Sequence, residues 1–285
     1  MKSSLSHLPE DKKNQVLELK DLILKKVPAA DKIILFGSYA SGNWVEDKYT
    51  ENGIRYEYVS DFDVLIITSN REEKEYVLQD KIVNSWRYHT PVNPIVHTID
   101  YINRGLENGQ YFFTDIVKEG VLLFNAGSTE FAEPKILSAS EIKKIAQINF
   151  SQWFENGYEF LIDAANAKER ESYNKVTFYL HQAMENFYSA VLLVFSGYKP
   201  KTHNLNVLRD YAKPYSKDLY NIFSPLSENE YENKVFAVLK KGYVEARYDS
   251  KFSIDKQSVE IIFERVEKAA SIVRVACIER IAAIH

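Results

Sequence analysis

The 285-residue sequence contains one cysteine, Cys277. An internal disulfide and a cysteine-based zinc site are both excluded. Ten glycines and eight prolines are too few for a collagenous or low-complexity segment. Long apolar runs are also missing. The longest, residues 190–195, falls far short of the ~20 residues that cross a bilayer as a helix. Residues 1–7 show no apolar core of a secretory signal, so a cytoplasmic protein away from membranes is the expectation. Positive charge is not in excess: 36 Lys and Arg stand against 40 Asp and Glu, a net charge of −4. That argues against a broad basic face for nucleic acid and leaves room for a local basic pocket.

What the chain does have is core material. Hydrophobic residues make up 45 % and aromatics 13 %, mostly Tyr and Phe, and the length suits two domains. The halves differ in texture. Residues 32–36, 63–68, 91–98 and 121–124 are short apolar runs bounded by Gly, Pro, Asn or charge, which predicts strands. Helical spacing is read over residues 11–26, 71–87 and 111–119. Asn52-Gly53, between aromatic and β-branched runs, predicts a hairpin across residues 44–59, because both turn residues tolerate positive φ. Residues 125–139 are aperiodic, rich in small residues and contain Pro134; they read as the linker region. Beyond it, spacing near 3.6 runs through residues 140–167, 172–196, 203–213, 228–248 and 254–284, with Gly197, Pro200, Pro214 and Pro225 as stops. The expected fold class is α+β, with a sheet-containing domain at 1–126, a linker at 127–139 and an all-α domain at 140–285.

Two features carry chemistry. Gly37-Ser38 follows the first strand at a strand-to-helix turn, where backbone N–H groups and a hydroxyl can cradle phosphate oxygens. Asp61 and Asp63 lead into the next strand. Residues i and i+2 of a strand point the same way, so the two carboxylates face one point while Phe62 faces the other side. Two adjacent anions call for a cation, and an all-oxygen pair suits Mg²⁺ or Mn²⁺. Gly-Ser turns and strand-initial aspartates are each common; their conjunction on consecutive strands outlines a metal–nucleotide site.

Gly37-Ser38 with Asp61-x-Asp63 resembles the signature of the polymerase-β-like nucleotidyltransferases, nearest to the minimal and kanamycin types, over residues 10–124. The 22 residues between Ser38 and Asp61 exceed the spacing of minimal members, and the hairpin accounts for them. The resemblance implies a mixed sheet flanked by helices. It implies that Gly37, Ser38, Asp61 and Asp63 bind an NTP, that Asp61 and Asp63 are the catalytic metal ligands, and that an NMP, AMP first, passes to a hydroxyl of a small molecule or protein. The family pattern places a third carboxylate on a later strand. Here Asn93 occupies that place, with His97 the nearest ionisable residue. One-metal catalysis, a carboxylate from elsewhere, and a non-catalytic nucleotide-binding or antitoxin-like module all remain open.

In the helical half, His181, Glu185 and Ser189 are spaced on one stripe of residues 172–196, with Leu180, Ala183, Phe187 and Val194 opposite. Lys201, His203 and Arg247 fall near inter-helix loops. These segments, His181–Glu185, Lys201–Leu205 and Tyr243–Tyr248, resemble the HEPN domain over residues 138–275. The resemblance implies a four- to five-helix bundle and a homodimer through it. It also implies either nucleotide binding, which makes His181, Glu185, Lys201, His203 and Arg247 a candidate second nucleotide or acceptor site, or metal-independent RNA cleavage. The ribonuclease branch carries an Arg with a His after four to six residues; only Arg280 and His285 fit, with apolar Ile281 beside the Arg, which disfavours that branch. By analogy with the kanamycin type, Glu155, Glu159 and Asp163, four apart on the polar side of the first long helix, are candidate bases for the acceptor hydroxyl or simply a solvated face.

Overall fold

The computed structural model describes residues 1–51, 54–69, 73–223, 230–249 and 251–285. The chain divides into two compact units, Met1–Ile136 and Leu137–His285.

The first unit opens with α1 (Glu10–Lys26), whose Val16, Leu19 and Ile23 are fully buried along one stripe. Strand β1 (Ala30–Phe36) follows and ends in the short helix α2 (Gly37–Ser41). Strands β2 (Glu46–Glu51) and β3 (Ile54–Val59) pair antiparallel as the expected hairpin. Its turn, Asn52-Gly53, lies outside the described residues. Strand β4 (Phe62–Thr68), helix α3 (Glu75–Val83) and strand β5 (Val92–Thr98) come next. Helices α4 (Ile99–Glu107) and α5 (Tyr111–Glu119) then lead to strand β6 (Val121–Asn125).

The main sheet runs β5-β4-β1-β6. β4 and β5 are parallel, while β1 is antiparallel to both β4 and β6. The sheet is therefore mixed, and the fold class is α+β. One face packs on α1 and α3 through Ile33, Leu35, Phe62, Val64, Ile66 and Val96. Alternation turns Ile34, Leu65, Ile67 and Ile95, all fully buried, to the other face.

Helix α4 was not evident from periodicity, because Gly105 and Asn103 interrupt it. Its buried Ile99, Ile102 and Leu106 hold it to the core, and the Thr98 hydroxyl accepts from Tyr101 N to cap it. Helix α3 is shorter than residues 71–87. Trp86 leaves the helical path to donate through Nε1 to Thr90 O (2.7 Å) and to lie edge-on to Phe62. The expected linker is tethered for most of its length. Asp31 accepts from Lys32 Nζ (2.6 Å), the Thr129 hydroxyl and Ser128 N (2.9 Å). Asn103 Oδ1 accepts from Ala132 N (2.9 Å), and Leu106 O accepts from Lys135 N (2.9 Å). Burial works against the Asp31 carboxylate, but the bonds from Lys32, Thr129 and Ser128 outweigh it and hold its pKa well below the usual range.

The second unit is helical: α6 (Ala139–Glu169), α7 (Tyr173–Ser196), α8 (Leu205–Ala212), α9 (Lys217–Asn221), α10 (Glu230–Lys241), α11 (Glu245–Tyr248) and α12 (Lys256–Ala282). A capping box of Ser138 and Glu141 starts α6. α7 sits at the centre, packed by α6, α8, α10, α11 and α12. It is buried on nearly every side, and the stripe of His181, Glu185 and Ser189 lies inside the bundle, as suits a core histidine. Ser189 turns its hydroxyl to Glu185 O (2.7 Å) within the helix. The helix expected at residues 228–248 breaks at Gly242, where a Cβ would come within 2.7 Å of the Thr177 carbonyl of α7. Short α9, capped by the Ser216 hydroxyl, was too brief for periodicity to reveal. Among the described residues, no helix is long and apolar enough to cross a membrane.

Candidate functional site

The topology gathers the sequence-predicted residues at one end of the main sheet. β1 ends at Phe36, which pairs with Asp63 at the start of antiparallel β4. Parallel β5 brings Asn93 beside Asp63 on the other flank. Gly37 adopts φ +71°, a conformation open to glycine. The Asp63 carboxylate lies directly against it: a Cβ at residue 37 would sit 2.3 Å from Oδ2. Gly37 is exposed, and Ser38, Asp61 and Asp63 are half-buried. Asp61 precedes β4 by one residue and shares the parity of Asp63, while Phe62 points the opposite way, fully buried, its ring 4.4 Å from that of Tyr39. The turn and the Asp63 carboxylate therefore meet at one place, with Asp61 two residues earlier at the start of β4.

Asn93 lies directly opposite Asp63 on the neighbouring strand. Its Nδ2 donates to Asp63 Oδ1 (2.9 Å), so a neutral donor occupies one lone pair of the central carboxylate. His97 does not join this site. It lies four residues further along β5, roughly 13 Å at strand rise. There Nδ1 bonds Glu75 Oε1 (3.0 Å), the ring stacks on Tyr101 (4.2 Å), and the side chain lines a cavity of about 200 Å³ with Val27, Thr68 and Leu78. Among the described residues, no group of three or more His, Cys, Asp or Glu forms a cage for a metal. Two carboxylates beside an open glycine turn suit Mg²⁺, which commonly takes one or two protein carboxylates and completes its shell from substrate phosphates and water.

A support layer behind the site was not foreseen from the sequence. Buried Lys12 of α1 reaches Glu46 of the hairpin and the Thr90 hydroxyl (2.9 Å). The Tyr39 hydroxyl donates to Glu46 (3.4 Å), and Tyr39 stacks on Trp44 (5.5 Å). Burial, with the charges of Glu46 and Asp61, pushes the Tyr39 phenol well above its ordinary pKa. It is neutral at physiological pH and serves as a donor.

In the helical unit, Tyr243 is the hub of the second cluster. His203 stacks on it at 4.4 Å and His181 at 5.4 Å, while the Arg247 guanidinium lies 4.7 Å from its ring and bonds its carbonyl through Nε (2.6 Å). His203 Nδ1 contacts both Glu185 oxygens, at 2.9 and 3.0 Å, with its ring more than half exposed. Burial, then the charges of His203 and Arg247, push the His181 pKa down to about 4, although a bond to the His203 backbone opposes them. His181, Glu185, His203 and Arg247 thus come together; Lys201 is exposed on the same loop as His203. Tyr243 was within reach of sequence reasoning, since it begins the segment that ends in Arg247 and Tyr248. Glu155, Glu159 and Asp163 are exposed on α6. Arg280 lies against Phe195 (5.9 Å), a packing role.

No curated protein matches this chain. Among solved structures, the crystal structure of a nucleotidyltransferase-like protein from Exiguobacterium sibiricum 255-15 aligns with 93 % of this chain and 78 % of its own, at 14 % identity and a TM-score of 0.29. Residues 150–276, from the fourth turn of α6 to near the end of α12, match the HEPN domain family. The bundle built around α7 in the second unit is a HEPN domain.

Proposed function

We propose that the first unit is a nucleotidyltransferase that uses Mg²⁺ or Mn²⁺ and passes an NMP, AMP first, from an NTP to a hydroxyl of a small molecule or protein. The observation that carries this reading is the packing of the Asp63 carboxylate on the bare backbone of Gly37, with Asp61 at the same strand start. In this reading the Gly37-Ser38 turn receives the terminal phosphates. Asp61 and Asp63 hold the metal, whose charge offsets that of the triphosphate. The acceptor hydroxyl gives its proton to solvent as its oxygen bonds to the α-phosphorus, the bond from the α-phosphorus to the α–β bridging oxygen breaks, and pyrophosphate leaves with that electron pair. Tyr39 and the Lys12–Glu46 pair fix the floor beneath Phe62, which sets the direction of the two aspartates.

The Asn93-to-Asp63 bond favours a second reading, in which the unit binds nucleotide without turning it over. One experiment separates them. Pyrophosphate release is measured for each NTP with Mg²⁺ or Mn²⁺ and a panel of hydroxyl acceptors, beside calorimetric titration of the nucleotide. The transferase reading expects metal-dependent release that Asp61→Asn/Asp63→Asn lowers by at least 10³-fold, about 4 kcal/mol of barrier. Release unaffected by that double variant rejects it. Saturable binding with no release under any acceptor supports the second reading.

A further inference from the structure

Residues 2–8 form a strap along the first unit that neither site uses. Lys2 N donates to Gly120 O (2.9 Å) and Lys2 O accepts from Leu122 N (2.8 Å), so the strap begins as a parallel bridge on the outer edge of β6. Leu5 and Leu8 follow, joined by a bond from Leu8 N to Leu5 O (3.0 Å). Both are buried in the same apolar cluster as Tyr39 and Ala40 of α2. Between them His7 is exposed. Its Nε2 bonds Tyr39 O (2.7 Å), and its ring edge lies beside Gly42, where a Cβ would stand 3.9 Å from Cδ2. A carbonyl only accepts, so Nε2 carries the proton in this contact.

The Tyr39 carbonyl takes this donor because α2 gives it none at its end. The helix has five residues and stops at Gly42, which adopts φ +88°. In a continuing helix Asn43 N would bond Tyr39 O, four residues back. Instead Gly42 N and Asn43 N both go to Ser38 O (3.0 and 2.9 Å), which also accepts from the Ser41 hydroxyl (3.1 Å). A single turn of helix has few bonds of its own, so what surrounds it decides how it sits. Tyr39 is held at two points. Its ring stacks on Trp44 and packs on Phe62, and its carbonyl is held by His7. The first hold is on the side chain. The second is on the backbone itself, two residues beyond Gly37. A turn that receives phosphates on its N–H groups works only if those groups are aimed, and the backbone aims them.

We propose that His7 is a positioning residue for the nucleotide turn: its bond to Tyr39 O fixes α2 and, through it, the direction of the Gly37-Ser38 amides, without touching nucleotide. This rests on the nucleotide reading of the first unit.

The test compares the full chain with His7→Ala, which removes the donor, and His7→Gln, whose side-chain amide can donate from nearly the same place. Hydrogen exchange without nucleotide reads the strap alone. In His7→Ala the Gly42 and Asn43 amides are expected to exchange at least tenfold faster, with α1 and the β1–β4 ladder unchanged and the Tm within about a degree of the parent. Calorimetric titration with ATP and Mg²⁺ reads the consequence: affinity at least fivefold weaker in His7→Ala and within twofold of the parent in His7→Gln. A parent that binds no nucleotide in this titration overturns the nucleotide reading and the role of His7 with it. A parent that binds, beside a His7→Ala chain of equal affinity or unchanged exchange at residues 42 and 43, overturns the role of His7 alone. So does a loss that His7→Gln does not restore, or one accompanied by faster exchange throughout the first unit, since either marks a merely structural contact.

Discussion

At residue 37 a missing side chain determines where a charged one can lie. The Asp63 carboxylate occupies the volume that any Cβ there would fill, and the backbone turns through positive φ at the same point. Gly37→Ala is therefore expected to displace Asp63 and strain the turn together, costing about 1–3 kcal/mol of stability and lowering NTP affinity by at least tenfold. Urea unfolding and nucleotide titration check both. The sequence disclosed the residues of this cluster but not their support: Lys12 and Glu46 are 34 positions apart, and nothing in either neighbourhood forecasts their ion pair. His97 was legible only as a nearby ionisable group; that it pairs with Glu75 depends on the crossover through α3, which spacing does not encode. His181 makes a separate prediction. Its folded pKa of about 4 lies below the ordinary value near 6.5, so the unfolded chain takes up the proton first as pH falls. The stability tied to its neutral form is complete above about pH 6.5 and is lost down to about pH 4. Between pH 7 and pH 5 the loss is about 2 kcal/mol, and the same comparison in His181→Phe should lack that share.

Among elements, the crossing of α6 and α7 is the tightest test of packing. A Cβ at Gly157 would meet Phe187 Cε1 at 2.7 Å and Asn186 Cβ at 3.1 Å. Gly157→Ala gains helix propensity of about 1 kcal/mol, but it has to move a fully buried ring. A net loss of about 1–2 kcal/mol is expected from the urea midpoint. Element identity was readable where one periodicity dominated. The four core strands are compact apolar runs, and α1, α5, α6, α7 and α12 are close to their expected spans. It failed where tertiary contacts decide: Gly242 against the Thr177 carbonyl splits one expected helix in two, and Thr98 caps α4 despite its interrupted pattern. On α7 the sequence shows His181, Glu185 and Ser189 as a polar stripe, and a histidine among apolar neighbours suits a core position. In the fold they are buried, satisfied by His203, Tyr243 and the helix's own carbonyl.

On the scale of the whole molecule, each unit keeps its own core. One apolar cluster lies wholly within the first unit and another wholly within the second. Hydrogen exchange across the full chain should therefore map where a nucleotide acts. With NTP and Mg²⁺, added protection is expected at the end of β1, in α2, and at the starts of β4 and β5. Protection confined to amides around Tyr243 would instead assign nucleotide binding to the HEPN domain. The antiparallel β1–β4 pairing beside the parallel β4–β5 pairing carries a consequence for folding order. It draws residues 37, 63 and 93 together from three distant stretches of chain. Local structure such as α1 or the β2–β3 hairpin can form without that convergence, whereas parallel pairing across a helical crossover closes slowly. Gly37, Asp63 and Asn93 thus come into register only once β1, β4 and β5 have paired, so on the reading proposed above nucleotide affinity would arise in a single late step as the chain emerges from the ribosome.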